Sequence, residues 1–162
     1  MIHKTTIKLD IDEKPKKLRI LCNEMIDRFT FFMQIYEYNF WLKSIRVRET
    51  VKGYHFYINV LTNRKLKDVE IIYIQLALGS DYKREGFNMI RSAEGNTKIE
   101  DWNMLFIDKE KVSEMSSFLE EYFYTKLFMK LETKEEAWYS FLRSCGVKAE
   151  ELEGLKTEAL SP

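Results

Sequence analysis

Asp10 and Asp12 stand two residues apart in "TTIKLDIDEKPK", a run that alternates apolar and polar residues as a strand does. In a strand, residues i and i+2 share a face. Ile7, Leu9 and Ile11 therefore point one way, and Lys8, Asp10 and Asp12 the other. Two neighbouring carboxylates repel, so they call for water, cations or a metal between them. One reading is a solvated strand face; the other is a site for Mg²⁺ or Mn²⁺, which would clamp phosphate oxygens and neutralise developing charge. His55 and the pair Arg46 and Arg48 lie in two later alternating runs. Arginine offers a bidentate phosphate contact and histidine a donor, so the combination suits phosphoryl chemistry if the fold brings these residues together.

The elements that must do so are legible in outline. From Lys16 to about Tyr38, apolar residues recur at three- and four-residue spacing after the start signal of Pro15, which predicts an amphipathic helix. "SIRVRET" and "GYHFYINVL" alternate on either side of "TVKG" and predict a hairpin. "RKLKDVEIIYIQLALGS" predicts a second helix, although its β-branched content leaves a strand open. "EGFNMIRS" and "EDWNMLFID" read as two short strands, and the chain from Lys109 onward as helices, with Thr133 as a cap and Gly146 as a stop. The polar tail from Lys148 is expected to fray.

The order β-α-β-β-α-β, one added strand and C-terminal helices gives an α+β class with an RNA-recognition-motif or ferredoxin-like core over residues 1–108, and a helical extension over 109–162. In that topology the first and third strands are antiparallel neighbours. Asp10 and Asp12 at the end of one would lie beside His55 at the start of the other, with Arg46 and Arg48 on the same open face. Residues remote in sequence would form one patch.

At these positions the chain resembles the archaeo-eukaryotic primase (primase-polymerase) superfamily. "IKLDID" is similar to its first motif, with Lys8 departing from the hydrophobic pattern, and "GYH" to its small-x-His motif, with Gly53 as the small residue. "RVRETVKGYHFYI" followed by "LALGSDYKREGFNMIR" looks like compact primase-like proteins of archaeal viruses and plasmids, and the likeness spans roughly residues 5–108. The resemblance implies a minimal nucleotidyltransferase of DNA replication. Asp10, Asp12 and His55 would be catalytic, Arg46, Arg48 and His55 would hold nucleotide phosphate, and Mg²⁺ or Mn²⁺ would be the cofactor. Its partners would be single-stranded nucleic acid, nucleoside triphosphates and replication proteins. The third motif fits less well. Asp108 would end a strand, ~20 Å too far along at ~3.3 Å per residue. At the start of the preceding strand the resemblance puts Asn88 where the family has a metal-binding Asp, with Asp81 and Asp101 as other candidates for third ligand. The alternative implied is a catalytically degenerate module that binds nucleic acid or a replication protein.

Composition narrows the field. The chain has 162 residues, 45% of them hydrophobic, and 26 basic against 26 acidic side chains, so any polyanion site must be a local patch. Cys22 and Cys145 stand alone, which disfavours a disulfide scaffold or structural zinc and predicts a reducing, cytoplasmic setting. No apolar run reaches the ~18–20 residues of a membrane span, and no membrane partner is expected.

Overall fold

Alternation in "HKTTIKLDI" is realised as strand β1, His3–Ile11, in which Ile7, Leu9 and Ile11 are buried. A computed structural model describes residues 1–14, 18–129, 134–148 and 151. Helix α1, Leu18–Ile35, follows and buries Cys22, Met25, Ile26, Phe29, Phe32 and Met33, the stripe that its helical spacing requires. It stops short of Tyr38 because Glu37 and Tyr38 both adopt left-handed backbone, φ 53° and 61°, and reverse the chain. Strands β2, Phe40–Glu49, and β3, Tyr54–Thr62, form the expected hairpin.

β3 lies at the centre of a three-stranded antiparallel sheet of order β1-β3-β2. Phe56, Ile58 and Val60 join Ile7 and Leu9 on its apolar face. The ambiguous "DVEIIYIQLA" is helical, α2, Asp68–Ala77.

Beyond α2 the expected strands are not there. Residues 82–94 form helix α3, Tyr82–Glu94, capped at its start by the Asp81 side chain and closed by Gly95 at φ 75°. "EDWNMLFID" divides into a single helical turn, α4, Ile99–Trp102, and an extended strap over residues 103–113. The class is thus mixed α+β, but neither a fourth nor a fifth strand exists among the described residues. Side chains take over where a strand would have paired. The outer-edge N–H groups of Lys8 and Asp10 donate to Gln75 Oε1 and Ser80 Oγ, both at 3.0 Å. The Lys8 carbonyl accepts from Arg84 at 3.3 Å, and the Asp10 carbonyl from the Asp81 N–H at 2.8 Å.

Helices α5, Glu114–Met129, and α6, Lys134–Ser144, complete the core. Phe123 of α5 meets Phe29 edge to face at 5.9 Å, and Trp138 of α6 lies 5.1 Å from Trp41. Gly146, at φ 85°, follows the end of α6 in the left-handed conformation that suits a helix stop. The proposed helix starts at Pro15 and Thr133, and the tail residues 149–150 and 152–162, lie outside the described residues. No described helix is long and apolar enough to cross a membrane.

Candidate functional site

Gly53 sets the geometry at the end of the sheet. A Cβ there would sit 1.8 Å from the Ile11 carbonyl oxygen and 2.8 Å from the Glu13 nitrogen. Only glycine lets the chain leaving β1 pass this close to the hairpin. The register that results sets Asp10 opposite His55 across β1 and β3, and Arg48 opposite His55 across β2 and β3.

Asp10 and His55 do meet, with Oδ1 3.5 Å from Nε2. Asp12 does not join them; it lies one residue past the end of β1 and is exposed. Arg48 is engaged elsewhere, 3.0 Å from Glu120 of α5. Arg46 stacks its guanidinium 4.4 Å from the centre of the Tyr57 ring. Nor is this face fully open. The strap crosses the sheet, starting beside β1 at Asn103 and ending where Lys111 pairs with Glu49 on the outer edge of β2. On the way it lays Glu110 over the centre. Glu110 Oε2 is 2.7 Å from His55 Nδ1 and also accepts the Tyr57 hydroxyl proton.

His55 is therefore 6% exposed and bracketed by carboxylates at both ring nitrogens. Burial disfavours its charged form, but the hydrogen bonds and charges of Asp10 and Glu110 outweigh burial and raise its pKa above the ordinary 6.5. Burial and the bond to Glu110 also raise that of the Tyr57 phenol. Because the imidazole stands between the two carboxylates, one ion cannot be held by all three. Among the described residues no group of three or more His, Cys, Asp or Glu is disposed to hold a metal ion. Sequence reasoning missed Glu110, which lies in a Lys- and Glu-rich run with no local mark of its role.

Asn88 is displaced from its expected place. It lies on α3, not at the start of a strand, is 4% exposed, and donates to Glu85 Oε1 at 3.0 Å and Asn103 Oδ1 at 3.3 Å. These bonds belong to a buried polar cluster centred on Glu85. Arg84 pairs with Glu85 at 2.5 Å, and Gln75 and Ser80 donate to it at 2.8 and 2.7 Å. Asp81 and Asp101, the other candidates for third ligand, cap α3 and α4, accepting from the backbone N–H groups of Arg84 and Lys98.

Between β1, α3 and the strap lies a cleft of about 860 Å³, which Asp10, Asn88, Asp81 and Asp101 all line. Lys8, Lys83, Arg84 and Arg91 also line it, with Tyr57, Phe87 and Phe106. Phe87 is 68% and Phe106 93% exposed. Lys8, Lys83 and Arg91 enter no ion pair among the described residues. Partial burial and the charge of Arg84 lower the pKa of Lys8, against a weaker opposing effect of Glu100. Two buried donors of residues at the cleft, Arg84 Nε and the Trp102 indole N–H, have no hydrogen-bond partner among the described residues. No protein-family model, curated protein or solved structure gives a significant match to this chain.

Proposed function

We propose that this chain is a single-stranded nucleic-acid-binding module of the replication type, built on an RNA-recognition-motif-like scaffold related to the primase-polymerases but without their turnover. The observation that carries this reading is the cleft beside β1. There, Lys8, Lys83 and Arg91, in no ion pair among the described residues, stand with exposed aromatic rings. Cations suit phosphate, and exposed rings suit stacked bases, the pairing that sequence-tolerant single-strand binders use. The scaffold reading is supported by the run β1-α1-β2-β3-α2 and the strand order β1-β3-β2. The absence of turnover is supported by the engagement of Asn88, Asp81 and Asp101 in hydrogen bonds of their own.

The test is fluorescence anisotropy with a labelled oligothymidylate. Binding should weaken with salt by roughly 0.7 in log–log slope per phosphate contacted. Phe106→Ala should weaken it by about 1–3 kcal/mol, the worth of one stacked base. No binding at low salt, or an unchanged affinity in Phe106→Ala, would sink the proposal.

A second reading, a working nucleotidyltransferase with Mg²⁺ or Mn²⁺, is favoured by the juxtaposition of Asp10 and His55 on adjacent strands. Asp10 could give such an ion one carboxylate, and Asp12 a second only from beyond the strand end. Calorimetric titration with Mn²⁺ separates the two readings. Binding that vanishes in Asp10→Asn/Asp12→Asn, together with nucleotide incorporation by the unaltered chain, would restore the catalytic one.

A further inference from the structure

A second cleft, of about 520 Å³, opens along the other half of β1. Lys4 and Thr6 line it from the strand and Lys65 from the segment before α2. Lys8 lines both clefts and is where they meet. On β1, Lys4, Thr6, Lys8 and Asp10 alternate onto the polar face, where Thr6 bonds Asn59 and Asp10 faces His55. Four residues at ~3.3 Å put Lys4 and Lys8 about 13 Å apart along a straight line. Like Lys8, Lys4 and Lys65 are in no ion pair among the described residues. The carboxylates in this cleft, Asp68 and Glu100, belong to α2 and α4, which leaves the cations of β1 as its anion-attracting side. The route across the three strands is obstructed, since Glu110 covers both His55 and Tyr57.

We infer that a single nucleic-acid strand lies lengthwise along β1, its phosphates passing from the α3 cleft over Lys8 into the second cleft. This rests on the nucleic-acid reading above and adds a path to it. A polyanion needs a row of positive charge, and Lys4 and Lys8 of β1 with Lys65 beside them supply one, although Asp10, Asp68 and Glu100 flank it. The bases, leaving the backbone at the α3 end, would meet Phe87 and Phe106.

The experiment is anisotropy with two labelled oligothymidylates, of about 4 and about 12 nucleotides, within the site sizes of single-strand-binding OB folds. Lys83→Glu/Arg91→Glu should weaken both. Lys4→Glu/Lys65→Glu should leave the short oligomer unchanged, lower affinity for the long one about tenfold, and reduce its salt slope by about 1.4, since two phosphate contacts are lost. If Lys4→Glu/Lys65→Glu is without effect on the long oligomer while Arg46→Glu weakens it, the strand crosses the sheet and the inference is overturned, although the nucleic-acid reading survives. If the unaltered chain binds neither oligomer, that reading fails and the path fails with it.

Discussion

Helices α1 and α3 are amphipathic in opposite senses. α1 turns Met25, Ile26, Phe29, Phe32 and Met33 to the sheet, as removal of apolar surface from water dictates. α3 buries Glu85 and Asn88 and leaves Tyr82, Phe87, Met89 and Ile90 outside. Its orientation is set by hydrogen bonding. The exposed outer edge of β1 needs donors and acceptors, and the Arg84–Glu85–Asn88 face of α3, with Gln75, Ser80 and Asn103, supplies or supports them. A helix held by its polar side has its apolar side free for a ligand. The lesson is that one end of this molecule is organised by packing and the other by polar satisfaction, and the second turns the large apolar side chains of a helix outward.

The comparison breaks most readily on the packed side. Phe29→Ala removes a fully buried ring that meets Phe40 at 5.2 Å and Phe123 at 5.9 Å, and should cost about 3–5 kcal/mol in urea denaturation. A loss under about 1 kcal/mol would mean that α1 is not the organising helix. On the polar side, Glu85→Gln leaves Arg84 buried without its anion and should cost about 2–3 kcal/mol. Hydrogen exchange should then rise first at Lys8 and Asp10, whose amides depend on the same cluster. Uniform loss of protection across the sheet would contradict a separate polar unit.

A smaller effect tests the strap. Because the pKa of His55 is raised in the folded chain, its contribution to stability is complete below the unfolded value near 6.5 and is lost as pH climbs through the folded value. Unfolding free energy should therefore fall as pH rises through and above 6.5, and His55→Gln should flatten that part of the profile. A variant with the same slope as the parent would remove His55 from the account. The smallest change is expected at Phe87→Ser, within about 0.5 kcal/mol in stability because the ring is already in water. The same substitution should weaken oligonucleotide binding, and unaltered binding would show that the free face of α3 is not used.

The contrast also explains what the sequence reveals and conceals. Ile7, Leu9 and Ile11 on one side of β1, and the spaced apolar residues of α1, obey the rule that apolar faces point inward, so strand, helix and hairpin register follow from pattern. The meeting of Asp10 with His55 follows in turn from that register. α3 inverts the rule. "EGFNMIRS" offers Phe87, Met89 and Ile90 as apparent core residues, and a reader placing them inside obtains a strand where the chain has a helix. Asn88 was misplaced for the same reason. Glu110 could not be found by local pattern at all, since its partner is 55 residues away and the strap that carries it has no periodicity. The short connection at Glu37 and Tyr38 is equally silent, because neither residue type advertises left-handed backbone.

At the end of the sheet nearest Gly53, both borders are closed by other parts of the same chain. Along β1, side chains of Gln75, Ser80 and Arg84 occupy the outward backbone groups. Along β2, Glu120 takes the Val47 N–H at 2.7 Å and Lys111 pairs with Glu49. Bare sheet borders are templates for strand addition, the route to swapped oligomers and fibrils. Where the strap and the neighbouring helices cover them in this way, the outer strands offer no bare backbone for another strand to pair with.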